Sequence, residues 1–166
     1  MTSSLNIFTD GSVNTQAKVG YGAYLAIADL NTPLETLNKS IKLKRFEQTS
    51  STRLELQTVL WAINEIRSSS VSDNLNLTVY TDSQNIVGLP ARREQLEKTD
   101  FYSTKNKQLA NHDLYREFYR LTLALNCRFE KVAGHRASGE KDIIDRLFAL
   151  VDKASRRALR TESDNK

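Results

Sequence analysis

The sequence predicts an α/β fold, in which a mixed sheet is covered by helices on both faces to give three layers. Three observations lead to this prediction. Apolar residues recur at strand spacing near the N-terminus, they recur at helical spacing in three later segments, and they form two strand-like runs between those segments. The predicted order is therefore three strands, a helix, a strand, a helix, a strand and a helix.

Three strands open the predicted sheet, over residues 5–12, 20–30 and 37–43. The second is apolar almost throughout, as a buried strand is. The third alternates apolar and polar residues, which suits an antiparallel strand with one face in water. Short connections join the three, including a turn at residues 31–33.

Helices and strands alternate in the rest of the chain. The first helix is predicted over residues 51–67, where Thr52 and Glu55 form a capping-box pattern. A second helix begins after Asn111, which suits an N-cap. The remaining predicted segments are a fourth strand at 75–82, a region of little periodicity at 88–111, a fifth strand at 127–133, a last helix at about 140–160 and a fraying tail at 161–166.

Length and composition favour one domain over residues 1–166, because 39% of the residues are hydrophobic and 27% are charged. Cys127 is the only cysteine, which excludes a disulfide framework and favours a reducing compartment. No apolar run reaches membrane-spanning length, and the first residues do not form a signal peptide. We therefore predict a cytoplasmic monomer with no membrane partner.

Two of the predicted strands end in an aspartate after the same three residue types. A β-branched residue, an aromatic residue and a threonine precede both Asp10 and Asp82. One such aspartate usually only begins a turn. A right-handed crossover through the first helix would set the two strands side by side and parallel. Their ends would then be about 5 Å apart, and the two carboxylates could share a divalent metal ion.

Three further acids and a histidine could reach the same sheet edge. Glu55 lies in the first turn of the first helix, although the capping box alone explains it. His135 follows the fifth strand, although an isolated loop histidine is usually only solvated. Asp145 and Asp152 lie seven residues apart on one face of the last helix, where acids are more often boundary residues than ligands.

Several carboxylates at one edge would repel one another strongly unless cations neutralised them. Oxygen ligands suit Mg²⁺ or Mn²⁺ rather than zinc. Two such ions about 4 Å apart form the clamp used for in-line displacement at phosphorus. The sequence therefore predicts two Mg²⁺ ions, with Mn²⁺ as a substitute, when substrate is bound.

Basic residues favour a nucleic-acid substrate. The net charge is +4, and basic residues outnumber acidic ones over residues 88–111. Arg92 and Arg93 in this region are predicted to contact a phosphate backbone. A solvated charged face explains these two arginines almost as well.

At this point the sequence resembles type 1 ribonuclease H, the ribonuclease HI family, over nearly its whole length. The matching segments are FTDGS at 8–12, GYGA at 20–23, RLEL at 53–56, YTDSQ at 80–84, NHDLY at 111–115 and VAGH at 132–135. The resemblance implies a ribonuclease H-like fold, with a five-stranded sheet whose first three strands are antiparallel. It also implies Mg²⁺-dependent cleavage of the RNA strand of RNA–DNA hybrids, which leaves 5′-phosphate and 3′-hydroxyl ends.

The resemblance also implies roles for single residues. Asp10, Glu55 and Asp82 become metal ligands together with an acid of the last helix, and His135 helps proton transfer or product departure. Ser12, Asn14 and Gln84 fall where the family touches the minor groove of the hybrid, and a contact to a 2′-hydroxyl there distinguishes RNA from DNA.

Asp145 is the preferred fourth ligand and Asp152 is the alternate. The segment 135–145 aligns with the family without gaps, whereas Asp152 would require a seven-residue insertion. Two helical turns separate the two acids by roughly 10 Å, so both cannot occupy one metal site. The acid that is not a ligand would be an exposed helix residue, and Asp152 could then pair with Arg156.

Two competing interpretations use the same residues. Another nuclease on the same fold, of the resolvase or transposase type, would share the strand-end acids. The Gly-His pair at 134–135 and the DSQ segment at 82–84 argue against it. A non-catalytic hybrid-binding domain would not need every candidate acid, and all of them are present.

Overall fold

The computed structural model describes residues 3–70, 74–133 and 142–165. The strands are β1 (Ser3–Asn14), β2 (Val19–Ile27), β3 (Lys42–Glu47), β4 (Leu75–Thr81) and β5 (Asn126–Lys131). The helices are α1 (Leu34–Leu37), α2 (Ser51–Ser69), α3 (Gln84–Lys98), α4 (His112–Ala124) and α5 (Ile143–Asp164), and a 3₁₀ turn at Asn38–Ser40 follows α1. No helix in the described ranges has both the length and the apolar character of a membrane-spanning segment.

The five strands form one mixed sheet in the order β3-β2-β1-β4-β5. The pairs β1–β2 and β2–β3 are antiparallel, whereas β1–β4 and β4–β5 are parallel. This confirms the predicted five-stranded sheet with its first three strands antiparallel. The parallel register places the end of β4 beside the part of β1 that follows Phe8, and β1 itself continues to Asn14.

Side chains alternate along each strand, so the sheet separates two hydrophobic cores. On one face, Ile7 and Val79 belong to a core that α2, α3 and α4 complete. On the other face, Phe8 and Leu25 belong to a core that includes Leu147 of α5. None of these five side chains is exposed. The consecutive residues Ile7 and Phe8 therefore place β1 at the centre of the sheet, where helices cover both of its faces.

Two glycines of β2 let α2 approach the sheet closely. A Cβ atom at Gly22 would lie 2.2 Å from Thr58 Oγ1, and one at Gly20 would lie 2.6 Å from Leu54 Cδ2. The Thr58 hydroxyl is buried and donates a hydrogen bond to the Leu54 carbonyl at 2.7 Å, which fixes its position. The close approach sets the first turns of α2, and with them Glu55, against the sheet.

The third strand begins later than the sequence predicted. β3 starts at Lys42, and residues 34–40, which overlap the predicted strand at 37–43, are helical. Leu34, Leu37 and Ile41 recur at intervals of three and four, and all three join the core on the α5 face. This helical spacing outweighs the period-two alternation that the prediction followed.

The region at 88–111 contains more regular structure than the sequence predicted, since α3 extends through Gly88 and Pro90 to Lys98. Both residues disfavour a helix interior. However, Ile86 and Leu89 are fully buried, and the Ser83 hydroxyl caps α3 by accepting a hydrogen bond from the Ile86 N–H at 3.3 Å. Packing and capping therefore outweigh the two unfavourable residues.

The predicted capping box of the first helix is wrong. The N-cap of α2 is Ser50, whose hydroxyl oxygen accepts a hydrogen bond from the Arg53 N–H at 3.3 Å. Glu55 therefore lies in the second turn rather than at the third helical position, where a capping-box acid belongs. Helix capping therefore does not account for the presence of an acid at position 55.

The last helix is longer than predicted, because α5 continues to Asp164 through most of the segment expected to fray. Glu162 in this segment accepts a hydrogen bond from the Tyr21 hydroxyl at 2.7 Å. Its carboxylate also receives the Arg45 Nε at 2.5 Å. These contacts fix the end of α5 against β2 and β3.

We expect Gly22→Ala to lower the free energy of unfolding by about 1–3 kcal/mol, the usual effect of overpacking, because the new methyl group meets Thr58. Urea denaturation followed by circular dichroism measures this. Gly88→Ala is the matched control, since a Cβ atom there has no neighbour within 4 Å. Alanine inside a helix is favoured over glycine by roughly 0.5–1 kcal/mol, so the control should gain stability. Equal destabilisation of both variants would contradict the close approach.

Candidate active site

The parallel pairing of β1 and β4 carries Asp10 and Asp82 to the same edge of the sheet. Phe8 lies opposite Tyr80 in the register, and their rings stack with centroids 4.8 Å apart. Asp10 follows Phe8 by two residues within β1, and Asp82 follows Tyr80 by two residues, just beyond the end of β4. Since neighbouring strands are about 5 Å apart, the two carboxylates are close neighbours on the side of the sheet that α5 covers.

Asp10 is the centre of this group of acids. Its pKa is raised to about 8, first by burial, then by the negative charge of Asp82, and then by a hydrogen bond with Asp152. The backbone N–H of Gly11 donates to the Asp10 carboxylate and acts in the opposite direction. Burial and the neighbouring carboxylates therefore favour the protonated form of Asp10 when no cation is present.

The structure reverses the preference between the two acids of the last helix. Asp152, and not Asp145, reaches Asp10. Asp145 forms a capping box at the start of α5, in which its N–H donates to Asp142 Oδ1 at 2.9 Å and its Oδ2 accepts from the Asp142 N–H at 3.4 Å. The structure therefore favours Asp152 as the fourth ligand over the acid that the gap-free alignment selects, because α5 begins at Ile143 and its third turn, not its first, lies near Asp10.

Glu55 joins the group from the opposite face of the sheet. Its pKa is raised mainly by burial and also by the charge of Asp82, whereas a hydrogen bond from the Ser83 hydroxyl lowers it. Ser83 is also the N-cap of α3, so one side chain fixes both the start of a helix and the position of Glu55. Sequence reasoning missed this residue, although a serine directly before a helix is an N-cap signal.

Two cations flank the acids, and neither was predicted to belong to the site. Arg156 Nε lies 2.9 Å from Asp152 Oδ1, which is the helical pairing proposed for Asp152 as an alternative to metal binding. Lys131 ends β5 opposite Thr81, next to Asp82. The pKa of Asp82 is raised, mainly by partial desolvation and also by the negative charge of Asp152. The positive charges of Lys131 and Arg156 act in the opposite direction and lower it.

The donor set fits a hard divalent cation. Asp10, Glu55, Asp82 and Asp152 offer only carboxylate oxygens, which Mg²⁺ and Mn²⁺ prefer. The raised pKa of Asp10 marks a place where positive charge would stabilise the group. Among the described residues, no three acidic, histidine or cysteine side chains converge closely enough to hold a metal ion. The four acids are therefore neighbours whose side chains would have to move inward to coordinate one ion together.

Three residues predicted to bind substrate lie around this edge. Ser12 follows Asp10 by two residues in β1, so it lies on the same face of the sheet. Asn14 ends β1, and its Oδ1 accepts hydrogen bonds from the N–H groups of Gln16 and Ala17, both at 3.1 Å. Gln84 is the exposed first residue of α3. Ser12 and Gln84 therefore flank the acids, whereas the Asn14 oxygen stabilises the turn after β1.

The two predicted phosphate contacts, Arg92 and Arg93, both lie on α3 and pack against rings of α4. The guanidinium of Arg92 lies 5.9 Å from the centre of the Tyr115 ring, and that of Arg93 lies 5.9 Å from the centre of the Tyr119 ring. Arg93 also pairs with Glu97 at 2.9 Å, whereas Arg92 is exposed. His135, which was predicted to assist catalysis, lies outside the described residues.

Comparison with known proteins identifies the family and agrees with the observed sheet. The model of the RNase H family matches residues 2–153. A Ribonuclease H of Caldicellulosiruptor saccharolyticus is 27% identical over 155 residues, which are 90% of this chain and 97% of that protein. Ribonuclease HI of Haemophilus influenzae is 26% identical over 148 residues, covering 89% and 88% of the two chains.

A solved structure has the same fold. The crystal structure of LC9-RNase H1, a type 1 RNase H with the type 2 active-site motif, superimposes with a TM-score of 0.70 at 16% identity. The match covers 95% of this chain and 72% of that one. The family match spans β1 to the Asp152 turn of α5 and so includes all four neighbouring acids. This chain therefore belongs to the RNase H family.

Proposed function

We propose that this protein is an endoribonuclease that cuts the RNA strand of RNA–DNA hybrids with the help of divalent metal ions. The observation that carries the proposal is the contact of Asp10 with Asp82 and Asp152 at the end of β1, with Glu55 beside them. Membership of the RNase H family supports the substrate class. The acids support the metal-assisted mechanism. The pKa of Asp10 is raised because nearby negative charge is not neutralised, and bound cations would neutralise it and also attract a phosphate.

Asp10, Glu55, Asp82 and Asp152 would hold two Mg²⁺ ions, or Mn²⁺ ions in their place. Bound ions of this kind neutralise charge on a phosphate and orient an in-line displacement. The protein supplies the fixed strand ends that carry Asp10 and Asp82, the helix that carries Asp152, and the Ser83 hydroxyl that orients Glu55. We retain His135 in the auxiliary role of proton transfer or product departure that the resemblance implies.

The proposed reaction is hydrolysis of a phosphodiester bond. The oxygen of a water molecule attacks phosphorus from the side opposite O3′, the P–O3′ bond breaks, and O3′ takes up a proton. The products are a 5′-phosphate on one fragment and a 3′-hydroxyl on the other. Ser12, Asn14 and Gln84 would contact the minor groove, where a 2′-hydroxyl identifies RNA. Arg92 and Arg93 would contact phosphates beyond the cut.

A panel of labelled substrates tests the proposed function directly. We expect cleavage of the RNA strand of a hybrid in Mg²⁺, no comparable cleavage of duplex RNA or duplex DNA, and no cleavage in EDTA, because four neighbouring carboxylates cannot approach a phosphate without cations. The new ends should accept a 5′-phosphate-dependent ligation. Undiminished cleavage in EDTA would refute the metal requirement. Cutting of duplex DNA would favour a resolvase-like enzyme, and binding of hybrid without cleavage would favour a non-catalytic domain.

The contact of Asp152 with Asp10 predicts which acid of α5 is essential. Asp152→Asn should reduce hybrid cleavage by on the order of 100-fold or more, the usual effect of removing a charge-stabilising group, while hybrid binding persists. Asp145→Asn is the matched control. It should cut at a near-native rate and lose roughly 0.5–2 kcal/mol of stability through its capping box. Single-turnover cleavage and urea denaturation separate the effects, and the opposite pattern would restore Asp145 as the fourth ligand.

The hydrogen bond from Ser83 predicts a change at Glu55. Ser83→Ala removes a donor to the charged form of Glu55, so the pKa of Glu55 should rise, and loss of the α3 N-cap should cost about 1 kcal/mol. Carbon-detected NMR titration of the Glu55 carboxyl group measures the pKa. Ser50→Ala removes the comparable N-cap of α2 and should leave that pKa unchanged. If both variants shift it equally, the Ser83 contact does not hold Glu55.

A further inference from the structure

Over residues 143–163 the outward face of α5 carries charge of one sign, and the exposed acid Asp164 follows only as the last residue of the helix. Seven side chains between residues 143 and 163 are exposed, and none of them is acidic. Five of the seven are basic: Arg146, Lys153, Arg156, Arg157 and Arg160. A helix face that is merely solvated usually mixes both signs. A basic face several turns long is therefore suited to a polyanion.

The acids near this face are turned away from it. Asp152 reaches Asp10 at the end of β1 and pairs there with Arg156. Glu162 lines a groove beside α5, and its carboxylate is already bound there by the Tyr21 hydroxyl at 2.7 Å and the Arg45 Nε at 2.5 Å. Neither acid therefore neutralises the exposed crest of the helix, which keeps its positive charge.

The basic side chains of α5 form a path from the acidic site to a groove on the other side of the helix. Successive residues of a helix are about 100° apart around its axis. Arg156 therefore lies on the flank of Asp152, Arg160 lies near the crest, and Lys153 and Arg157 lie toward the opposite flank. A chain of phosphates that leaves the acids across α5 would meet these four side chains in turn.

This groove lies between α5 and β3 and has a volume of about 970 Å³. Its walls are largely apolar and include Leu43 and Leu150, and Lys153 and Arg157 stand at its edge. Leu43 is 46% exposed, which is unusual for a large apolar side chain in this protein. Proteins that bind single-stranded nucleic acid combine a basic path for the backbone with surfaces on which bases can lie.

We propose that the crest of α5 and this groove bind the single strand of nucleic acid that continues from a hybrid held at the acidic site. The inference rests on the proposed function for the identity of the hybrid. It is carried by the single-sign charge of the crest and by its continuity with the site through the Asp152–Arg156 pair. A single strand fits better than a duplex, because only unpaired bases can use the apolar walls of the groove.

The test measures binding in EDTA, so that cleavage does not interfere. Fluorescence anisotropy compares a short blunt RNA–DNA hybrid with the same hybrid carrying a single-stranded extension at each of its four strand ends in turn. The variant is Lys153→Ala/Arg157→Ala/Arg160→Ala, which leaves Arg156 and its contact with Asp152 intact. The control, Arg67→Ala/Arg116→Ala/Arg120→Ala, loses the same charge from exposed residues on α2 and α4, which cover the opposite face of the sheet from α5.

We expect an extension at one strand end to tighten binding to the native protein by about tenfold, and we expect the α5 variant to lose this gain. For the extended hybrid, a plot of log affinity against log salt concentration should be less steep for the α5 variant by about 2. Each phosphate contact on a single strand contributes roughly 0.7 to this slope, and the variant loses three cations. Binding of the blunt hybrid should not change, and the control should behave as the native protein does.

Four results would overturn the inference. They are no gain from any extension, a gain that survives in the α5 variant, an equal loss of blunt and extended hybrid, or the same loss in the control. Cleavage of the blunt hybrid in Mg²⁺, measured in parallel, tests the proposed function separately. The α5 variant should cut the blunt hybrid at the native rate. Extension-dependent binding by a native protein that cuts nothing would support the binding surface and refute the nuclease.

Discussion

Six residues of β1 pair in parallel with six residues of β4, from Ser3 opposite Leu75 to Phe8 opposite Tyr80. This register is what makes a site out of separate acids. A shift of one residue would turn Asp10 or Asp82 to the other face of the sheet. The register is fixed by burial on both sides, because Ile7 faces the α2 core and Phe8 faces the α5 core. The same packing that stabilises the centre of the sheet therefore positions the carboxylates at its end.

The arrangement of acids is unfavourable for the protein without cations. Since the pKa of Asp10 is raised to about 8 in the folded state, the folded protein binds this proton more tightly than the unfolded chain does. Its contribution to stability is therefore lost as the pH rises from the ordinary range of an aspartate through about 8. Arg156 and Lys131 offset part of this repulsion at Asp82. A bound divalent ion would offset it at the centre of the group.

Local patterns in the sequence predicted most of the fold and the pairing of Asp10 with Asp82, because strand periodicity and the repeated strand endings are both local signals. The preference for Asp145 over Asp152 followed an alignment, whereas the structure brings Asp152 to Asp10; the outcome depends on which turn of α5 lies over β1. That is set by packing of residues such as Val151 in the core, which no local pattern records. The helix through Pro90 was missed for the same reason, since tertiary burial outweighs local propensity there.

The central claim is that Asp10, Glu55, Asp82 and Asp152 form one site for divalent cations. A Mg²⁺ titration followed by carbon-detected NMR of the side-chain carboxyl groups tests it most directly and needs no substrate. The account predicts that the signals of these four residues move together and saturate at the same Mg²⁺ concentration, while the signal of Asp145 stays in place. Movement of Asp145 together with Asp10 while Asp152 remains still would contradict the account, and so would the absence of any saturable change at the four acids.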